Sequence, residues 1–307
     1  MQHVATQRKQ ARFDRVKVRY EEHFAAGHLT AAEVLLRELL ALAPNWASGW
    51  FDLGLIAKLR RDWAGSRDAN ERALALGAGK PGDPAAWNLG IAATALGDWP
   101  TARRAWAAYG VELPPGDGPI RAELGPVPIR LNPEPRITGQ RPLLIDGVER
   151  GPEVVWAQRI SPAHAVITSI PLPGSGHRYG DVVLHDGEPA GSRELDGRTV
   201  PVFEELERLT LALHPTTAVT VTTPAATDAA ALLTLLTDSG LAATDWTTSV
   251  RRLCRACSEG APDGPHDHPA GEWVTERSIG IAGQPERAVS LLERWAADGA
   301  GRAWERA

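Results

Sequence analysis

A tandem repeat sets the strongest limit on what this chain can fold into. Residues 50–64 read WFDLGLIAKLRRDWA and residues 86–100 read AWNLGIAATALGDWP. Overlaid, Leu53 falls on Leu89, Gly54 on Gly90 and Trp63 on Trp99, each 36 residues apart. One repeat earlier, Tyr20 stands 34 residues before Gly54. Gly27 then takes the place of Arg61 and Gly97, and Ala32 that of Ser66 and Ala102. Self-similarity at such a period means stacked units, each of which buries its apolar face only against its neighbours.

Each unit reads as two helices. Thr30 with Glu33 has the form of a capping box, in which side chain and backbone satisfy two orphan N–H groups reciprocally. Leu35, Leu36, Leu39 and Leu40 follow as one apolar stripe, and Pro44 stops the helix. Asp83-Pro84 opens another, with the carboxylate as N-cap and proline at the first helical position. The expected first helices of the units span 13–26, 47–59 and 83–96. The recurring glycine predicts a close approach of the two helices of a hairpin, where a side chain would force them apart.

Trp50-x2-Leu53-Gly54, with Ala102, Trp106 and Pro114 in the third unit, resembles the tetratricopeptide repeat family. Trp87 is shifted by one from the family's tryptophan position. The second unit departs from the pattern at Ser66, Asn70 and Ala78. The resemblance covers residues 7–114 and implies an all-α stack whose concave face, lined by first helices, holds a protein or peptide. Arg19, Lys58, Arg60 and Asn88 are the expected groove residues. The alternative, that the repeats pack only on this chain's own C-terminal half, stays open.

Residues 115–150 read as a linker with one short strand, VPIRL. Residues 151–210 then switch to short β-branched segments between Pro and Gly, the pattern of a small β unit. Val155-Trp156-Ala157, Ile170-Pro171 and Tyr179-Gly180-Asp181-Val182-Val183 resemble small uncharacterised bacterial domains that set such a unit before an α+β half; that resemblance implies no activity. A catalytic reading of this stretch uses His177 or His185 as base and Asp181 as its partner. The plainer reading makes Asp181 a turn residue.

Residues 215–307 predict strands at 218–222, 246–253 and 273–283, helices at 227–241 and from Pro285, and a last short strand. The order β-α-β, insert, β-α-β is that of a ferredoxin-like domain. The insert 254–268 carries Cys254-x2-Cys257-x8-His266-x-His268. Two thiolates and two imidazoles form a donor set suited to one tetrahedral Zn2+. A loop rich in Gly and Pro has little apolar core of its own, so the expected role of that zinc is structural. A catalytic zinc, a redox-active Cys-x2-Cys and unconnected residues are the competing readings. Arg251, Arg252 and Arg255 flank the cysteines without the aromatic interleaving of an RNA platform.

The formal net charge of −5 gives no global attraction to nucleic acid or an anionic membrane. No apolar run reaches the roughly 18–20 residues of a membrane span, and the polar start has no signal-peptide core. The expectation is a multidomain cytoplasmic adaptor: helical repeats, a small β unit and a zinc-stapled α+β domain. A metal-dependent hydrolase or modifying enzyme, with its site between the β unit and the Cys/His insert, is the alternative.

Overall fold

The computed structural model describes residues 2–77, 80–195, 198–247 and 273–307. Two compact units emerge: Met1–Ala122 with Glu134–Pro142, and Glu123–Pro133 with Leu143–Ala307. No helix among the described residues is long and apolar enough to cross a membrane.

The first unit is three helical hairpins: α1 (Gln2–Ala25) with α2 (Leu29–Leu42), α3 (Ala47–Leu59) with α4 (Trp63–Leu76), and α5 (Pro84–Ala95) with α6 (Trp99–Tyr109). The leucine stripe of α2 packs with Val16, Tyr20, Leu53 and Ile56 as one core. Asp62, Asp83 and Asp98 cap α4, α5 and α6 by accepting from the backbone N–H groups of Gly65, Ala85 and Thr101. Both repeat glycines mark close approaches. A Cβ on Gly90 would lie 2.6 Å from the Trp106 ring, and one on Gly54 would lie 2.3 Å from the Asn70 amide. The departures at Ser66 and Asn70 are thereby explained, whereas Ala78 lies outside the described residues. Asn70 fills the space that Trp106 fills in the third unit, and it donates to the Ser66 carbonyl, while Ser66 donates to that of Gly54.

One expectation fails locally. α2 begins at Leu29 with His28 as N-cap and has no side-chain cap, so Thr30 and Glu33 form no capping box. The Glu33 carboxylate is held instead by Arg37 and Arg60. Charge-assisted bonds to two guanidinium groups are stronger than a bond to a neutral backbone N–H.

In the second unit, β1 (Pro126–Leu131), β2 (Glu153–Arg159), β3 (His164–Ile167), β4 (Val182–Leu195) and β5 (Arg198–Thr210) form a closed barrel in that order. Neighbours pair antiparallel except at the closure, where β1 runs parallel to β5 with Ile129 opposite Phe203. Closure leaves no exposed edge. Alternate residues line the interior, among them Ile129, Leu131, Val155, Ile167, Val183 and Phe203. The VPIRL strand of the stretch read as a linker is thus β1, a wall of the barrel.

The rest of this unit is β6 (Thr216–Thr222), α7 (Ala226–Asp238), β7 (Ala242–Asp245), β8 (Glu276–Ala282), α8 (Pro285–Ala297) and β9 (Ala303–Arg306). The four strands lie in the order β7-β8-β6-β9, all neighbours antiparallel. Val219, Val221, Leu232, Ile279, Ile281 and Leu292 make its core. A strand lies at Ala242–Asp245; of the strand expected at 246–253, Trp246 and Thr247 fall just after it, and residues 248–253 lie outside the described residues. The Asp245 carboxylate accepts from Thr247 N–H and turns the chain. Trp246 then goes inward, donating to the Ile170 carbonyl at 2.8 Å, against the bare face of Gly280.

Candidate functional site

A cleft of about 430 Å³ opens on the helical unit between α2, α3 and α4. Trp50, Leu53, Ala57 and Ala69 give it apolar lining. Arg37, Arg60 and Arg72 contribute guanidinium groups, and Glu33, Asp62 and Asp68 contribute carboxylates. Most of these charges are engaged locally: Glu33 bridges Arg37 and Arg60, Asp62 caps α4, and Asp68 pairs with Arg67. Arg72 is exposed and reaches Asn45 at 3.4 Å. Trp50 is oriented by donating its indole N–H to the Pro44 carbonyl at 2.8 Å. Helix periodicity explains the assembly, because residues three and four apart share a face.

The four expected groove residues separate. Arg60 lines this cleft, and Arg19 is exposed on another face of the unit. Lys58 and Asn88 are only 7% and 5% exposed, and Lys58 Nζ donates to Asn88 Oδ1 at 3.1 Å. They pair in the interior and present no open surface. The same holds for the middle of α5: Ile91, Ala92 and Ala93 are each 0% exposed. Three consecutive helical residues point about 100° apart, so no side of this helix is an open groove. Trp50 and Arg72 were missed in the sequence because a cleft formed across two hairpins leaves no local pattern.

The polar residues of the β unit converge inside the barrel, in a different arrangement from base and partner. His177 has both ring nitrogens at acceptors: Nε2 lies 2.7 Å from the Glu205 carboxylate and Nδ1 3.1 Å from the Ser175 carbonyl. Nδ1–H donates to the Ser175 carbonyl, and a second proton is shared between Nε2 and the Glu205 carboxylate, which makes the pair an imidazolium–carboxylate when the ring holds it. Burial opposes that charge, but the Glu205 carboxylate outweighs it and holds the His177 pKa above its ordinary value. Glu205 also accepts from Asn132 N–H at 3.0 Å, and the Asn132 side chain donates to the carbonyls of Gly151 and Ser175. Asp181 is fully buried and accepts from the backbone N–H groups of Arg178 and Ala212, at 3.0 and 2.7 Å. Its role is the turn, and the partner of His177 is Glu205, 28 residues away. The signal was there: Glu205 stands two residues after Phe203 and shares its inward phase, and a carboxylate facing a core must have a partner.

Glu153 adds a third titratable group at this end. Its two oxygens lie 3.1 and 3.0 Å from Leu172 N–H. Burial pushes its pKa up to about 7, against the pull of the bonds to Leu172 and Ser175 and of the nearby His177 charge. His185 stands opposite Glu205 in the β4–β5 register and is stacked on Phe203 with ring centroids 5.1 Å apart. Burial pushes its pKa down to about 3, so the ring is neutral; Nδ1 donates to the Asp186 carbonyl at 3.1 Å. The hydrolase reading of the β unit therefore loses its base-and-partner geometry at both histidines.

Cys254, Cys257, His266 and His268 lie outside the described residues, as do Arg251, Arg252 and Arg255. No group of three or more His, Cys, Asp or Glu able to hold a metal ion occurs among the described residues. The flanks of the insert are tied together. Arg277 pairs with Asp245 and lies over the Trp273 ring at 4.4 Å. Trp273 donates to the Thr223 carbonyl, and Ser278 N–H donates to the Thr247 hydroxyl.

No family model and no curated protein matches the chain. Among solved structures, a mutant O-GlcNAc transferase from Thermobaculum terrenum is similar over 33% of this chain, at 22% identity and a TM-score of 0.30. The chain spans 19% of that structure's length. A hypothetical protein from Neisseria gonorrhoeae is similar over 59% of this chain and 92% of its own, at 10% identity and a TM-score of 0.23. At such scores neither likeness bears on fold or activity.

Proposed function

We propose that the chain is a protein-interaction adaptor whose helical unit, a short tetratricopeptide-type stack, holds a segment of a partner protein between α2, α3 and α4. The cleft itself carries this reading: an apolar floor around Trp50 and Leu53 inside a charged rim. That is the anatomy of an interface, in which a desolvated apolar centre supplies affinity and the polar rim supplies specificity. The photo-crosslinker benzoylphenylalanine placed at Arg72 tests it in the host cell, with the same group at exposed Glu293 of α8 as control. A discrete protein adduct at Arg72 and none at Glu293 is expected. Equal labelling at both positions, or none at Arg72, removes the cleft as the partner site.

We further propose that the second sheet is a ferredoxin-like domain, and that its Cys/His insert is stapled by one structural zinc. The strand order β9-β6-β8-β7 supports the first proposal, and the ligand spacing supports the second. The adaptor would act in the cytoplasm. Metal analysis of the purified chain beside a Cys254→Ser/Cys257→Ser variant tests the zinc. About one zinc per chain, lost in the variant, is the expected result; zinc retained by the variant, or absent from both, ends the proposal.

A further inference from the structure

The helical unit carries a second concavity, whose lining shares no residue with the α2–α3–α4 cleft. Residues Glu134–Pro142 leave the barrel strand β1 and return to this unit as a strap. Arg141 N–H donates to the Leu59 carbonyl, and Arg61 donates to the carbonyl of Arg141, both at 3.1 Å. Between the strap, α1 and α2 lies a pocket of about 500 Å³. Leu29, Val34 and Leu35 of α2 line it, with Thr138 and Gly139 of the strap. Val34 is 66% exposed, so a large apolar side chain of the lining is left in water here.

The permanent charge lining this pocket is the Arg19 guanidinium, and no carboxylate lines it. His23 and His28 line it as well and add ring N–H donors. Arg19 is an exposed guanidinium, and the two imidazoles meet at their Nδ1 atoms, 3.4 Å apart. Glu33, the carboxylate nearest in sequence on α2, is turned away and taken by Arg37 and Arg60. A basic rim around an apolar floor stands out in a chain of net charge −5. It complements a ligand that is both apolar and acidic.

Resting on the adaptor reading, we infer that this pocket docks an acidic, leucine-bearing peptide segment of a partner protein. An apolar side chain of the peptide covers Val34 and Leu35, and its carboxylates face Arg19 and the two histidines. The site is separate from the α2–α3–α4 cleft, so the helical unit has two docking faces.

Fluorescence polarisation on the full chain tests this, with a labelled synthetic peptide that repeats Glu and Leu in an amphipathic pattern. Counter-probes carry Lys for every Glu, or Ser for every Leu. The acidic probe should bind and both counter-probes should fail. Arg19→Glu and Val34→Asp, both at exposed positions, should each weaken it by about ten-fold, and added salt should weaken it further. No binding of the acidic probe, equal binding of the lysine probe, or unchanged affinity in both variants overturns the inference. Loss of binding in Arg72→Glu but not in Arg19→Glu also overturns it. That result would place the acidic segment in the α2–α3–α4 cleft and leave the adaptor reading standing.

Discussion

Charged side chains of the helical unit gather where water reaches them: Arg37 and Arg72 around one cleft, Arg19 beside the other. In the barrel, His177, Asp181, His185 and Glu205 are each 4% exposed or less. Residues of the kind that suggest chemistry in a sequence have opposite meanings in the two units. The barrel groups are occupied by one another and by backbone N–H and C=O groups, and they hold the wall in place. The exposed groups of the helices make surface pairs, Arg37 with Glu33 and Arg72 with Asn45, which water already reaches. Besides its apolar interior, the barrel has buried polar bonds that join its strands and loops, Glu205 to His177 and to Asn132 among them. The helical unit is stapled by leucines and by two sites where a missing side chain lets helices touch.

The contrast breaks most visibly if Glu205 is removed. Glu205→Leu leaves the His177 imidazolium buried without its counter-charge and strips Asn132 N–H of its acceptor. Removing one partner of a buried pair costs about 3–5 kcal/mol. Hydrogen exchange read by mass spectrometry should show protection lost in β1 and β5 and retained in α1–α6. Adding His177→Phe should recover part of the loss, since the orphan charge goes with it. Equal loss in both units would contradict the division of labour.

The second effect is pH dependence of the barrel. The Glu153 pKa is raised to about 7 from 4.5, so the folded state holds that proton more tightly. Its contribution is full below about pH 4.5 and is lost as pH rises through about 7. His177, also raised, loses its contribution as pH rises past 6.5. His185 is lowered to about 3; its contribution is present above 6.5 and lost as pH falls through 3. Urea unfolding at pH 5 and pH 8 should therefore show a smaller difference in Glu153→Gln than in the parent chain. The expected reduction is about 1–3 kcal/mol, by the energy of one to two pKa units. An unchanged difference would mean that Glu153 is ionised in the folded barrel at both pH values.

Sterics should govern the helical unit in the same way. Gly→Ala in an ordinary helix interior stabilises by roughly 0.5–1 kcal/mol. Gly90→Ala should instead destabilise by about 1–3 kcal/mol, because the new methyl meets the fully buried Trp106 ring. Gly54→Ala should cost less, since the Asn70 amide can rotate where an indole cannot. Thermal unfolding of both variants checks the order. A stabilising Gly90→Ala would mean that the hairpin opens without strain.

Much of the helical unit was legible because its determinants are local. Leucine spacing, aspartate caps and the glycine period lie within one unit, and DPAAWNLG writes its own helix start. The barrel was less legible because closure is not local. VPIRL sat in a stretch that reads as linker, and nothing near it shows that it pairs with strands some 25 and 75 residues on. His177 was matched with Asp181 because they are neighbours in sequence, whereas Glu205 arrives only when β5 closes on β1. The clefts of the helical unit were hidden for the same reason, since each draws residues from separate helices.

The smallest effect tests where local reading failed. Thr30 and Glu33 have the spacing of a capping box, but Thr30 Oγ1 accepts only from Arg60 Nη2, at 3.0 Å and exposed. Asp98 by contrast accepts from Thr101 N–H at 3.2 Å at the start of α6. Asp98→Ala should therefore cost about 1 kcal/mol, and Thr30→Ala no more than a few tenths, the usual worth of an exposed polar pair. Chemical unfolding of the two variants separates the cases. If Thr30→Ala costs as much as Asp98→Ala, the capping box forms in solution. Glu33 is then drawn back to its own backbone, Arg37 and Arg60 lose their shared carboxylate, and the rim of the α2–α3–α4 cleft becomes more basic. The two concavities would then share a basic character, and the charge contrast between them would disappear.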